Sequence, residues 1–364
     1  MFKVFIIGGY GNFGSYIAKA LNDDKNIELV ISGRSVNKAT QFCQNLKRAE
    51  PYQLDYKQNL NEALGDIRPD LVIHTSGPFQ SQDYSVAQAC LQHHCHYVDL
   101  ADARNFVTNI TDLNHSAKTK GLCLISGASS VPCLSAAVID KYIKHFKLLT
   151  EIDYGIAAAQ QTNRGLATAS AILGYVGKPF KTQIEGSEKD IYGWQNIHYE
   201  HYPEIGKRLL GNCDIPDLSI FPDRYKDLKT LRFYAGTEVR FMHLGLWGLS
   251  WFVRWGLITD LTKLGRFLVK ASHWFDWMGT NKSAFHMHMS GIDQGSRSKT
   301  KSFYLIARQG HGPYIPCMPA ILIARKMAGG IHFQKGAYPC IGIITLKEYL
   351  DTLSEFDISH TMND

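Results

Sequence analysis

The chain has 364 residues, 45% of them hydrophobic, and a formal charge of +6 dispersed along its length. That is too long for one ordinary domain, too apolar for extensive disorder, and free of the concentrated basic stretch that a nucleic-acid surface needs. Its eight cysteines, at 43, 90, 95, 123, 133, 213, 317 and 340, have no framework spacing, so reduced thiols in a cytoplasmic setting are expected.

The opening Met1-Phe2-Lys3-Val4-Phe5-Ile6-Ile7 is too brief an apolar run for an export signal and ends in a glycine loop rather than a cleavage site. That loop, Gly8-Gly9-Tyr10-Gly11-Asn12-Phe13-Gly14, follows a β-branched strand and precedes a helical periodicity of Phe13, Ile17 and Leu21. Gly9, Gly11 and Gly14 fit the dinucleotide pattern: a tight turn, a close approach of backbone to pyrophosphate, and close helix packing. Tyr10, Asn12 and Phe13 lie between them, and the helix starting near Asn12 would present free N–H groups to the phosphates. The second strand, Ile27 to Ser32, ends in Gly33-Arg34-Ser35 with no carboxylate at its tip. Arg34 can pair with a ribose 2′-phosphate and Ser35 can donate to it, so NADP(H) is expected rather than NAD.

Alternating elements follow: a helix near 36 to 48, a strand near Leu54, a helix near 58 to 66, and a buried strand from Asp70 to Thr75. Ser76-Gly77-Pro78 then turns where a cofactor would lie. A helix over 83 to 93, strand His96 to Asp99, helix 109 to 120 and strand Leu122 to Ser126 complete an open parallel sheet near Gly127. Asp99 ends a strand with Tyr97 on the same face. It either binds a substrate ammonium or caps the turn that follows. Cys90, His93, His94, Cys95 and His96 bridge a helix end and a strand without zinc spacing, and His286 and His288 share a strand face for which solvent exposure suffices, so no metal is expected.

The predicted class is α/β: a Rossmann doubly wound parallel sheet over 1–130 and an α+β substrate and dimerisation domain over 131–344, with a C-terminal helix at 345–358 free to pack back on the first. Arg164 opens the second domain after a strand ending near Ala157, a good place to hold a carboxylate or phosphate. Lys335, His332 and Arg297 are weaker candidates resting only on glycine-rich surroundings. All six tryptophans lie beyond residue 190. Five of them stand in 241–278, a segment too rich in charge to span a membrane. It forms either buried amphipathic helices or a surface for peripheral lipid contact.

Gly77-Pro78-Phe79, Tyr97-Val98-Asp99-Leu100, Ser126-Gly127-Ala128-Ser129, Asn163-Arg164-Gly165 and Gly312-Pro313-Tyr314-Ile315-Pro316 resemble the saccharopine dehydrogenase (reductase) family and its bacterial relatives over nearly the whole chain. The resemblance implies a homodimer closed through the second domain and a small-molecule substrate, with Ser76 and Asp99 lining its cleft and Gly77 and Pro78 against the nicotinamide. Saccharopine-forming members carry an acidic turn after the last Rossmann strand, whereas here it reads Gly127-Ala128-Ser129-Ser130-Val131-Pro132-Cys133, which points away from saccharopine itself. The expected reaction is hydride transfer at a C–N bond of an amino-acid-like substrate. Alternatives are reduction of a C=C bond in a lipid or polyketide-like substrate, and an NADPH-binding scaffold without turnover.

Overall fold

A computed structural model describes residues 1–163 and 165–364. They form two compact units, one of residues 1–134 and 313–349, the other of 135–312 and 350–364.

The first unit is built on seven parallel strands. Six come from its first segment: β1 (Phe2–Ile7), β2 (Ile27–Gly33), β3 (Ala49–Gln53), β4 (Leu71–His74), β5 (His96–Asp99) and β6 (Cys123–Ser126). The sheet order is Gly336–Pro339, β6, β5, β4, β1, β2, β3, so the order reverses between β1 and β4. In open sheets of this kind ligands sit outside the strand ends at that reversal. The strands are apolar on both faces because helices cover both: Phe5, Ile7, Val72, Tyr97 and Leu124 lie in one core cluster with Leu60, Leu64, Val86 and Leu91 from the helices.

Three local differences from the sequence reading have physical reasons. Leu54 lies just after β3, an edge strand where the missing N–H of Pro51 is tolerated. The helix expected over 109–120 is three short turns, Arg104–Thr108, Asn109–Leu113 and Asn114–Thr119. Residues 313–344, assigned by sequence to the second domain, belong to the first unit. Gly336–Pro339 extends its sheet beside β6, and helix Tyr314–Ala328 packs on α1 (Asn12–Leu21), with Tyr314 edge-on to Tyr16 at 4.5 Å and Arg325 donating to the Ala20 carbonyl at 2.9 Å.

The second unit holds β7 (Leu148–Ala157), the hairpin β8 (Pro179–Ile184) and β9 (Ser187–Tyr192), β10 (His198–Tyr202), β11 (Gly206–Asn212), β12 (Thr230–Gly236), β13 (Ser283–Ile292) and β14 (Ser298–Ala307). Its main sheet runs β10, β11, β12, β7, β13, β14 and Ile358–Asn363. One face carries Tyr154, Phe233, Phe285 and Phe303 in mutual edge contacts, with the Tyr154 hydroxyl donating to buried Asp217 at 2.7 Å. The other carries Ala157, Tyr234, Ala284, Tyr304 and Ile306 under Tyr202 and Leu210. His286 and His288 share that second face, but His286 is fully buried rather than solvated. Among the described residues no helix is long and apolar enough to cross a membrane.

Candidate functional site

β1 ends by handing both Gly8 N–H and Gly9 N–H to the Ser32 carbonyl, each at 3.0 Å. Gly8 has φ +78°, so the left-handed residue of the turn is Gly8, one place before the first glycine of the motif. A Cβ on Gly14 would strike the Gly8 carbonyl oxygen and come within 2.8 Å of Gly9 Cα, and one on Gly11 would lie 2.9 Å from the same oxygen. The three motif glycines thus keep α1 tight against the turn. α1 starts after Gly11 with no side chain capping it, and its first-turn amides have no acceptor within the helix. That is an anion cradle.

Tyr10 links the cradle to the end of β2. Its hydroxyl accepts the Ser35 N–H at 3.0 Å, and its ring occupies the space a side chain on residue 33 would need. Ser35 in turn caps α2 (Val36–Cys43), accepting the Lys38 N–H at 3.4 Å. Arg34 is exposed between them, with no carboxylate paired to it among the described residues. A negative group reaching this strand tip would meet a free guanidinium.

The turn after β4 is held from behind by a contact that sequence periodicity does not announce. Gln82 donates through Nε2 to the carbonyls of Ser76 at 2.8 Å and Pro78 at 2.9 Å, while its Oε1 faces His74 Nε2 at 2.9 Å. Because Oε1 can only accept, His74 carries its proton on Nε2. Burial drives the His74 pKa down to about 4, against the opposing pull of the Gln82 bond, so the ring is neutral at pH 7. The Thr75 hydroxyl donates to the Ile7 carbonyl at 2.9 Å, fastening this turn to the end of β1.

Asp99 is fully buried, and its Oδ1 accepts Gly127 N–H at 2.8 Å, Ala101 N–H at 2.9 Å and the Ser126 hydroxyl at 3.0 Å. Burial raises its pKa to about 6 in spite of these bonds. Tyr97 is also fully buried, and burial moves its hydroxyl well above the usual phenol range. The strand buries the face they share; of the two readings of Asp99, its Oδ1 makes the turn bond to the Ala101 N–H and also ties the ends of β5 and β6 together. Arg164 lies outside the described residues.

Gly9, Tyr10, Gly11, Asn12, Phe13, Gly14, Arg34, Ser35, Ser76, Gly77 and Pro78 all follow the carboxyl ends of β1, β2 and β4, which are neighbours in the sheet. His96 and Lys335 are elsewhere, with His332 in a cavity of about 110 Å³ lined also by Phe2, Cys123 and Met327, where β1, β5 and β6 begin. His96 Nδ1 accepts the Cys123 N–H at 3.1 Å. Arg297 pairs with Asp293 at 3.3 Å across a turn.

Residues 4–125 match the family described as saccharopine dehydrogenase NADP binding domain. No curated protein sequence matches the chain. In fold it is similar to saccharopine dehydrogenase (L-Glu forming) from Saccharomyces cerevisiae, at 11% identity and TM-score 0.70 over 100% of both chains. It is also similar to an amine dehydrogenase from Mycobacterium smegmatis, at 10% identity and TM-score 0.51 over 93% of this chain and 94% of that one. The glycine cradle and the acid-free tip of β2 both lie within the matched segment, so residues 4–125 are similar to the NADP-binding domain of saccharopine dehydrogenases.

Proposed function

We propose that the chain transfers a hydride between NADP(H) and a C–N bond of a small amino-acid-like substrate. The observation that carries the cofactor half is Arg34, exposed and without a carboxylate partner one residue beyond a strand tip that itself lacks an acid. The residues fit the group, since the cradle at Gly8, Gly11 and Gly14 leaves no room for side chains and its helix start is uncapped. When bound, NADP(H) supplies or accepts the hydride. The first-turn amides of α1 hold the pyrophosphate, Arg34 and Ser35 hold the 2′-phosphate, and the Gln82-braced turn at Ser76, Gly77 and Pro78 forms the nicotinamide side. Asp99 positions the neighbouring wall and does not touch substrate.

The carbon–nitrogen choice is supported by fold likeness to proteins named as saccharopine and amine dehydrogenases, together with the sequence setting of Arg164, a cation suited to a substrate carboxylate. A homodimer and a cytoplasmic location go with this reading, and eight buried cysteines outside any disulfide support a reducing compartment. Titration of NADPH and NADH tests the cofactor half: Arg34→Ala should weaken NADPH by roughly ten- to a hundredfold and leave NADH little changed. Equal affinity of the wild type for both would overturn it.

A second reading is favoured by one observation. Trp255, Trp274 and Trp277 are 64%, 67% and 79% exposed, alongside exposed Phe252, Leu257 and Phe267, on and beyond helices Arg240–Arg254 and Gly265–His273. The segment 240–278 carries five Lys or Arg against two Asp, so its apolar surface is flanked by positive charge. Aromatic side chains with basic neighbours suit the surface of an anionic bilayer, which would present a lipid-like substrate for C=C reduction. NADPH oxidation with imines and with enoyl thioesters separates the two chemistries, and turnover of neither leaves an NADPH-binding scaffold.

A further inference from the structure

On the buried face of the second unit's sheet, β13 brings His286 and His288 to the same side as Glu200 of β10. Their ligand atoms all lie within 4.8 Å of one another. His288 Nε2 is 3.3 Å from Glu200 Oε2, and His286 Nε2 is 4.0 Å from that oxygen and 3.9 Å from Asp153 Oδ1. His286 is wholly buried, yet among the described residues its Nε2 has no hydrogen-bond partner. A buried imidazole nitrogen aimed at a carboxylate without bonding to it is an unfinished arrangement for a polar atom.

The far side of each ring is finished. His286 Nδ1 meets the Tyr202 hydroxyl at 2.8 Å, His288 Nδ1 meets the Ser302 hydroxyl at 2.8 Å, and the Tyr304 hydroxyl donates to Glu200 Oε1 at 3.1 Å. These partners fix both rings with Nε2 forward and fix the carboxylate that faces them. Outer hydrogen bonds of this kind orient metal-ligating histidines. Space is made for the inner ring as well: a Cβ on Gly155, the residue paired with His286 across β7 and β13, would come 2.9 Å from the His286 Cε1.

We propose that Glu200, His286 and His288 bind a zinc-like divalent transition-metal ion, with the Asp153 carboxylate 3.9 Å from His286 Nε2 beside them. Metal–ligand distances of about 2.0 to 2.2 Å place tetrahedral ligand atoms roughly 3.3 Å apart, which the His288–Glu200 pair already matches and the His286 pairs approach. Two imidazoles and carboxylates suit zinc and its neighbours rather than calcium or magnesium. The ion would pin the end of the sheet at β10 to its centre at β13. Entry is from the side of His288 and Glu200, which keep 26% and 14% of their side-chain surface.

The test uses the full chain stripped with a chelator and titrated with Co²⁺, read by its visible ligand-field bands, followed by displacement with Zn²⁺ and by melting with and without Zn²⁺. The wild type should take one equivalent and melt higher with the metal. Glu200→Gln and His288→Ala should each weaken Co²⁺ at least a hundredfold. Tyr202→Phe, which keeps every ligand and the packing of the ring, should weaken it roughly ten- to a hundredfold. A wild-type chain that takes up no stoichiometric Co²⁺, or variants that bind it as the wild type does, would overturn the site. Should a ligand variant fail to fold, the wild-type titration and Tyr202→Phe decide alone.

Discussion

The ring of Tyr10 stands where a side chain on Gly33 would be: a Cβ there would lie 2.5 Å from the ring and from its hydroxyl. The same hydroxyl accepts the Ser35 N–H, so one side chain sets the distance between the phosphate turn and the residues proposed to read the ribose. Gly33→Ala should push Tyr10 out of this position at a cost of about 1 to 3 kcal/mol and weaken NADPH. In a Tyr10→Ala background the same substitution should cost much less. A double-mutant cycle by chemical unfolding and cofactor titration measures the coupling; additive effects would contradict the contact.

Gln82 satisfies two carbonyls and a buried histidine at once. Gln82→Leu should strand these groups and destabilise the chain by about 1 to 3 kcal/mol, with a raised Kd for NADPH because the Ser76 to Pro78 turn loosens. Denaturant melts and cofactor titration check both parts. Retained stability would mean that water replaces the amide.

Asp99 and His74, in neighbouring strands, respond to pH with opposite signs. The Asp99 pKa is about 6 in the fold against an ordinary 3.8, so the folded state binds the extra proton and stability falls as pH rises from 3.8 through 6. The His74 pKa is about 4 against an ordinary 6.5, so its contribution is complete above 6.5 and is lost as pH falls through 4. Each is worth on the order of 3 kcal/mol, and they offset one another between about pH 4 and 6. Asp99→Asn removes the compensation. Relative to the wild type, the variant should therefore lose stability toward acid, as unfolding at pH 4, 5, 6 and 7 would show; parallel profiles would refute the assignment.

Trp255→Ser, Trp274→Ser and Trp277→Ser combined should leave the melting temperature nearly unchanged, because these side chains are exposed. If the apolar surface contacts lipid, the triple variant should lose binding to vesicles containing anionic phospholipid, and wild-type binding should weaken with salt. Cosedimentation reads both. Equal pelleting of the two proteins would exclude the surface.

The cofactor crevice was legible because its requirements are local. A glycine at 14 and the lack of an acid at the tip of β2 are visible in consecutive residues. Asp99 was legible only as a strand-end carboxylate; whether it faced outward or bonded Gly127, Ala101 and Ser126 depended on β6, 24 residues further on, a distance no short motif spans. The alternation of His286 and His288 gave their shared face correctly, but not its burial, which comes from Tyr202 and Glu200 more than eighty residues earlier in the chain. The role of Gln82 left no trace in the pattern, since a glutamine in a polar loop carries no periodicity.

The return of the chain to the first unit at 313 has a consequence for how this protein can be made and cut. The strand that flanks β6 is synthesised only after the whole segment 135–312, so a nascent chain reaching residue 134 has six strands of a seven-stranded sheet and leaves the edge of β6 without its neighbour. The recognisable family segment, ending at 125, is shorter still. A fragment trimmed to it would expose Cys123, Leu124 and Ile125 along an unpaired strand edge, a template for association with other chains. Expression as a fused pair of segments, 1–134 joined by a short linker to 313–349, is the form in which the nucleotide-binding half has all its strands.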